Sequence, residues 1–354
     1  MHATKAEPHP GGWFVVAAVA ALVVALSIAG SVGGITGLLA VGEEFPIRDY
    51  VLADLPDVEL ATGVGHDGQQ YYGIARDPLG RGAVPDLLDN PSYRYMFILY
   101  PALAGGFGTF SPQLTVAAML ALSVVGFGLA GASALMLNHQ LGGRTTVAYF
   151  AVANAGLLLA VRFLLPDPLA LGLAMLGVTL AVAGKDRPAA VALGLAVLTK
   201  APYFLFPLAL GAWVWPSDRK RAWWLTVAPA VPAALWVSYV FIRFGPSTAG
   251  NLTAPFTGFI TAIDQWSSVS TGEVILALMA AALLVGGAVL AAVTRHPLLR
   301  LLLLAWVGLG LVSSELIWKF GNNAMRVMAP LWTVAALAAA VYVSSSKSRR
   351  NLPV

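Results

Sequence analysis

The chain has 354 residues, of which 58% are apolar and only 11% charged, with a formal net charge of +4 and a mean hydropathy of +0.77. A soluble domain of this size cannot bury so much apolar surface, and a β-barrel would show short alternating segments rather than long runs of Ala, Leu, Val and Gly. The absence of cysteine excludes disulfides and thiolate metal sites.

The class these numbers define is an all-α polytopic membrane protein. In chain order, ten apolar segments of roughly membrane length are predicted. They cover residues 13–41, 112–137, 145–164, 168–184, 188–200, 203–216, 222–242, 273–293, 298–317 and 326–344, and two of them are short. The first exceeds a signal-peptide core and lacks a clear small-residue cleavage site, so it reads as a retained span. The stretch 95–107 is apolar but short, with Pro101 and a Gly105-Gly106 pair, and reads as an interfacial or re-entrant helix.

Charge placement sets the topology. With the N-terminus in the cytoplasm, twelve of the 21 basic residues fall on the inner side, among them Lys5, Arg144, Arg219-Lys220-Arg221, Arg295, Arg300, Lys347, Arg349 and Arg350. Only three acids, Glu7, Asp186 and Asp218, join them. Positive-inside is then satisfied loop by loop, and both termini are cytoplasmic. Counting 95–107 as a span would move the Arg219–Arg221 and Arg295/Arg300 clusters outside. Two larger outer segments result, 42–111, which is acidic, and 243–272, which is rich in Ser, Thr and Gly. Neither is long enough for an independent domain, so residues 1–354 form one transmembrane domain.

Polar chemistry concentrates in "GHDGQQYYGIARDP", residues 65–78. Residues 69–77 read as one or two turns of a short amphipathic helix on the outer interface, with Asp67 at its start and Asp77-Pro78 at its end. Asp67 capping the helix is the bland explanation. It leaves His66, Gln69 and Arg76 unexplained. Downstream, Tyr93-Arg94-Tyr95 suits the headgroup level, where an arginine can hold a lipid phosphate. "VRFLLPDPLALG" keeps Arg162 and Asp167 close to the membrane, where ionisable groups usually face a protein cavity. Lys200, in "AVLTKAPYF", is open both to snorkelling and to a binding role. "SSELIWKFGNNAMRVMAPL" gathers Glu315, Lys319, Asn322, Asn323 and Arg326 around the last outer loop. All of these groups fall on the outer face. Carboxylates beside Arg and Lys near lipid headgroups suit a phosphate-bearing lipid.

"HDGQQYYGIARDP", followed by "YRYMFILYPALAG" and "MRVMAPL", resembles multi-span glycosyltransferases of the GT-C superfamily. The plan is similar to that of the mannosyltransferases of GPI-anchor and mycobacterial lipid synthesis. The resemblance implies a GT-C-like bundle with interfacial helices in the first extracytoplasmic loop, in a bacterial plasma membrane. It implies inverting sugar transfer from a polyprenyl-phosphate donor to a glycan, lipid or protein acceptor at the extracytoplasmic face. Asp67 matches the family's loop carboxylate and would be the general base. "PDPLA", with Asp167, resembles an acidic motif at the outer end of spans three and four. Arg94, Lys200, Lys319 or Arg326 would stabilise the departing phosphate, and Asp167, His66, Gln69 and Tyr72 would bind sugar or acceptor. No D-x-D or E-x-D pair assigns a divalent metal, no cofactor is assigned, and no nucleic-acid partner is implied. The chain departs from larger relatives in having about ten spans and no C-terminal soluble domain. Two other readings stay open: a transporter or flippase for a lipid-linked sugar, and a lipid-binding membrane subunit without chemistry.

Overall fold

The computed structural model describes residues 10–247 and 250–350, without the side chains of 347–350. The inner-side charges Lys5 and Glu7, and the side chains of Lys347, Arg349 and Arg350, therefore lie outside the described residues. Among the described residues the fold is entirely helical apart from three isolated bridges.

The helices in order are α1 (Pro10–Ala29), α2 (Arg48–Asp54), α3 (Gly68–Arg76), α4 (Pro91–Arg94), α5 (Leu99–Gly108), α6 (Pro112–Gln140), α7 (Thr145–Ala148), α8 (Ala155–Arg162) and α9 (Asp167–Val182). They continue as α10 (Asp186–Thr199), α11 (Leu205–Val214), α12 (Arg219–Phe244), α13 (Thr257–Gln265), α14 (Thr271–Val293), α15 (Pro297–Val312), α16 (Glu315–Lys319), α17 (Gly321–Val327) and α18 (Ala329–Arg350).

Six segments are long and apolar enough to cross a membrane: α1, α6, residues 145–162, α12, α14 and residues 329–346. The other four expected spans are helical but shorter. α9 and α15 have 16 residues each, α10 has 14 and α11 has 10. At 1.5 Å per residue these are ~24, ~21 and ~15 Å, against ~30 Å of hydrocarbon. Proline and polar residues cut them short: Pro166 before α9, Lys200 and Pro202 between α10 and α11, Pro216 and Asp218 after α11, and Ser313-Ser314 after α15.

α1 also ends earlier than the apolar run implies. Gly33 and Gly34 take positive φ, and a 3-10 turn at Ile35–Leu39 follows. Only glycine adopts such φ values at no steric cost, so the run folds back instead of continuing as a helix.

Arg221, in the first turn of α12, fixes how α10 and α11 lie. Its guanidinium donates to the Asp186 carboxylate at 2.9–3.0 Å and to the Ala181 carbonyl at 2.7 Å. The end of α9, the start of α10 and the start of α12 therefore share one end of the bundle, here the lower end. α10 rises from it, α11 returns to it, and Lys200 sits at the tip of this hairpin, at the upper end. α6 and α9 approach closely enough that a Cβ on Gly126 would come within 2.5 Å of Leu169 Cα. Such small residues let helix backbones meet where no hydrophobic force drives association.

Residues 42–111 form a layer over the upper end, and its buried residues, including Ile47, Val51, Tyr71, Tyr72, Ile74, Val84, Tyr95 and Tyr100, are continuous with the core of the bundle. α5, at ten residues, is too short to cross a membrane. α3 departs from the expected surface amphipathic helix, since eight of its nine residues are buried. The reason is close packing: a Cβ on Gly105 of α5 would lie 2.0 Å from the Ala75 carbonyl oxygen. The upper turns of α12 pin the layer down. Trp236 Nε1 donates to the Tyr95 carbonyl (2.7 Å), Tyr239 Oη to Leu79 (2.6 Å) and Arg243 to Gly80 (3.0 Å).

Candidate functional site

The site is built around the entry to α3. Gly68 touches two backbones: a Cβ there would lie 2.5 Å from the Phe163 carbonyl oxygen and 2.9 Å from that of Leu39. This contact sets Asp67 directly beside the α8–α9 turn. Asp67 occupies the residue before α3 but makes no side-chain capping bond, so capping does not explain it. Its backbone N–H donates to His66 Nδ1 at 2.9 Å. That bond needs a lone pair on Nδ1, so a neutral His66 carries its proton on Nε2. The imidazole stacks on Phe163, with centroids 3.8 Å apart and planes within 7°.

The Asp67 carboxylate points at two arginines. Arg94 Nη1 lies 3.0 Å from one oxygen and Arg326 Nη2 lies 3.7 Å from the other. Arg94 also makes a fork-like pair with Asp89 at 2.8 and 2.6 Å. The short helix that carries it begins where Asn90 accepts a bond from the Tyr93 N–H.

Asp167 joins from the α8–α9 turn. The Leu165 N–H bonds to Ala160 O and the Leu164 N–H to Val161 O, the Schellman pattern that ends helices. The left-handed position, usually glycine, is Leu164 at φ +51°, and its side chain is fully buried. Such a conformation costs of order 1 kcal/mol and persists where surrounding packing enforces it. The turn delivers Asp167 to the first turn of α9, where the helix dipole favours an anion. Lys200, from the tip of the α10–α11 hairpin, is ion-paired with one Asp167 oxygen. Arg326 Nη2 lies 3.4 Å from the other.

Arg326 thus touches both Asp67 and Asp167. It gets there because α17 packs tightly on α8: a Cβ on Gly156 would sit 2.2 Å from the Met325 carbonyl oxygen. Arg326 Nη1 donates to Asn323 at 3.1 Å, while its buried Nε has no partner.

Three carboxylates (Asp67, Asp89, Asp167) and three cations (Arg94, Lys200, Arg326) form one continuous network. A fourth cation adjoins it. Arg162 lies over the Phe163 ring at 4.8 Å, and its buried Nη1 has no partner. The cluster therefore carries spare donors and an excess of positive charge, the condition for taking up an additional anion. Exposure separates the carboxylates: Asp67 keeps 26% of its side chain accessible and Asp167 keeps 1%. Asp89 keeps 42%, so Asp67 and Asp89 are the carboxylates that a bound molecule can reach, Asp67 alone of the two lies against both Arg94 and Arg326, and Asp167 is a buried counter-ion.

Burial on its own would raise the Asp67 pKa, but Arg94 and then Arg326 outweigh it and hold the carboxyl well below its ordinary 3.8. His66 moves the other way from a free histidine. Burial, with Arg326 adding to it and Asp67 opposing, lowers it from 6.5 to about 4. Between pH 6.5 and 4 the unfolded chain binds a proton at His66 that the folded chain does not. The stability that neutral His66 contributes is therefore complete above 6.5 and lost as pH falls toward 4. The Asp67 ion pairs contribute fully above 3.8, and their contribution is lost only as pH falls below it. Thermal unfolding of detergent-purified protein should show a melting temperature that falls through the His66 window, with a shallower fall in His66→Gln. Identical slopes in the two proteins would contradict a histidine held neutral.

Six of the nine sequence-predicted site residues converge here: His66, Asp67, Arg94, Asp167, Lys200 and Arg326. Three do not. Gln69 is buried, accepting from the Gly42 N–H at 3.1 Å and donating to the Val64 carbonyl at 2.8 Å. That clamps the loop rather than facing a ligand. The Tyr72 hydroxyl donates to Asp54 (2.8 Å), which Arg76 also pairs with at 3.0 Å. Lys319 lies over the Phe320 ring at 5.5 Å, and no ion pair of the cluster includes it. Asp77 is structural, accepting from the Arg81 and Gly82 N–H groups. Sequence reasoning missed Asp89 and Phe163. Asp89 had a signal in its position five residues before Arg94. Phe163 had none, because its role is stacking.

Among the described residues no group of three or more His, Asp and Glu is arranged to hold a metal ion. Two grooves lie away from the cluster. One, of about 410 Å³, involves Thr294–Pro297 and α18, and the other, of about 330 Å³, lies between α1, α6 and residues 149–158. Compared with known proteins, the chain matches no family model, no curated protein and no solved structure.

Proposed function

We propose that the protein is an integral-membrane glycosyltransferase that uses a polyprenyl-phosphate sugar, with Asp67 as general base. The observation that carries this reading is the cluster itself: a partly exposed carboxylate, Asp67, flanked by both Arg94 and Arg326, with unpartnered guanidinium nitrogens on Arg326 and Arg162. The donor's phosphate is an anion suited to those guanidinium groups. Its arrival draws Arg94 and Arg326 away from Asp67, and weaker pairing raises the basicity of the carboxylate. Asp67 then takes the acceptor hydroxyl's proton. The acceptor oxygen bonds to the anomeric carbon as the bond from that carbon to the phosphate oxygen breaks. The electron pair leaves on the polyprenyl phosphate, and the configuration inverts. Arg94, Lys200 and Arg326 stabilise the developing phosphate charge.

In this reading all ten helical segments cross or enter the bilayer, and the four short ones bring the cluster below the outer surface. α3–α5 and their loops form a juxtamembrane layer, both termini are cytoplasmic, and the cluster faces outward in a bacterial plasma membrane. The positive-inside distribution supports that orientation. The test is purified protein in liposomes with a polyprenyl-phosphate hexose and an alcohol acceptor. The expected result is release of polyprenyl phosphate with formation of an inverted glycoside. Donor crossing the bilayer unchanged would replace the reading with transport, and donor binding alone would replace it with a lipid-binding subunit.

A further inference from the structure

Arg94, Lys200 and Arg326 are each paired with a carboxylate. Arg162, at the end of α8, is not. Among the described residues it makes no hydrogen bond and no ion pair, and it stays partly exposed. Its guanidinium carbon lies 4.8 Å from the centre of the Phe163 ring. The same ring stacks on the imidazole of His66 at 3.8 Å. The bond from the Asp67 N–H occupies His66 Nδ1, which leaves the Nε2–H as the remaining polar group of the neutral ring. Among the described residues that N–H has no acceptor, and His66 is partly exposed. Two donors that the protein does not use therefore share one aromatic platform beside Asp67.

Charge decides what these donors can take. The charged groups around the imidazole are Asp67, Arg94, Arg162 and Arg326. Burial, with Arg326 adding to it, lowers the His66 pKa to about 4, so the ring is uncharged at neutral pH. The cluster then sets four cations, Arg94, Arg162, Lys200 and Arg326, against three carboxylates, Asp67, Asp89 and Asp167. It is short of one negative charge, which is the charge of a phosphodiester. Resting on the glycosyltransferase reading, we propose that His66 and Arg162 form the seat that receives the phosphodiester of the lipid-linked donor, with Phe163 as the platform that orients both. Arg162 takes the phosphate without giving up a carboxylate, so capture breaks no ion pair. His66 adds a directed hydrogen bond through Nε2 without adding a further charge to a site already rich in cations.

The test reads binding without turnover. Native mass spectrometry of the purified full chain is titrated with a polyprenyl-phosphate hexose, and separately with the uncharged polyprenol of the same length. Arg162→Leu should weaken donor binding about tenfold, and Arg162→Lys, which keeps the charge, should restore part of it. His66→Phe keeps an aromatic ring against Phe163 but has no N–H, and should also weaken binding about tenfold. His66→Gln supplies an amide N–H and should restore most of the loss. Polyprenol binding should stay the same in all four variants, and thermal unfolding checks that each is folded. Wild-type donor binding in folded Arg162→Leu and His66→Phe would overturn the proposal. An equal loss of polyprenol binding would overturn it too, because the two residues would then shape the bundle rather than meet the phosphate. Displacement of the donor by an equal concentration of dimethyl phosphate would overturn the lipid assignment in favour of a soluble anion. Donor binding that follows the expected pattern without any sugar transfer would support the seat and overturn the glycosyltransferase reading alone.

Discussion

Asp67→Asn should lower sugar transfer by ~10²–10⁴-fold, the usual contribution of a positioned general base, while lowering the melting temperature only by the loss of its ion pairs with Arg94 and Arg326, a smaller fall than that of Asp167→Ala. The structural half of this expectation follows from the network. Arg94 keeps its two bonds to Asp89, and Arg326 keeps Asp167 at 3.4 Å. Neither cation is left unpaired, so the large penalty for an isolated buried charge does not arise. The asparagine retains the shape of the side chain, and its backbone N–H still meets His66 Nδ1. The measurement is turnover of a polyprenyl-phosphate hexose in liposomes beside thermal unfolding in detergent. Near-normal turnover would remove Asp67 from the role of base. A sharp fall in melting temperature would mean that its pairing is structural.

Asp167→Ala should do the reverse and act first on stability. Asp167 is buried and holds Lys200 directly, and among the described residues no other carboxylate pairs with Lys200. Removing it leaves the lysine without a counter-ion, a change that costs ~3–5 kcal/mol. Arg326 falls back on Asp67 alone, at 3.7 Å. The expected result is a melting temperature lower by many degrees. The double variant Asp167→Leu with Lys200→Met should recover much of the loss, because replacing both members of a buried pair by apolar groups is often neutral. A wild-type melting temperature in Asp167→Ala would show that water or another group screens Lys200. A double variant no more stable than the single one would show that the loss comes from the α8–α9 turn instead.

These two carboxylates look alike in the sequence, each beside a proline or glycine and near a basic residue. Burial and partners separate them. Asp67 shares both of its cations with other acids, and Asp167 is, among the described residues, the one carboxylate paired with Lys200. The same distinction applies to the polar residues around Asp67. Gln69 and Tyr72 sit in the same nine-residue helix or at its start, yet both are consumed by loop contacts to Gly42, Val64 and Asp54.

The sequence by itself determined the class of the protein, because apolar composition and long Ala, Leu and Val runs leave a helical membrane bundle as the way to satisfy the backbone in lipid. It also located the helical segments and identified most of the charged cluster, since a charge in so apolar a chain is costly and is retained where it has partners. It did not determine where the helices stop. Gly33, Gly34, Pro166 and Pro202 act through local backbone geometry, which a hydropathy average does not register. Nor did it show that α3 is buried, which depends on the close crossing of Gly105 over Ala75. Only the tertiary structure brought Asp67, Asp167 and Arg326, up to 259 positions apart in the chain, into one network. That convergence rests on backbone contacts at Gly68 and Gly156. Which charge pairs with which is a property of packing between distant segments, and no local pattern encodes it.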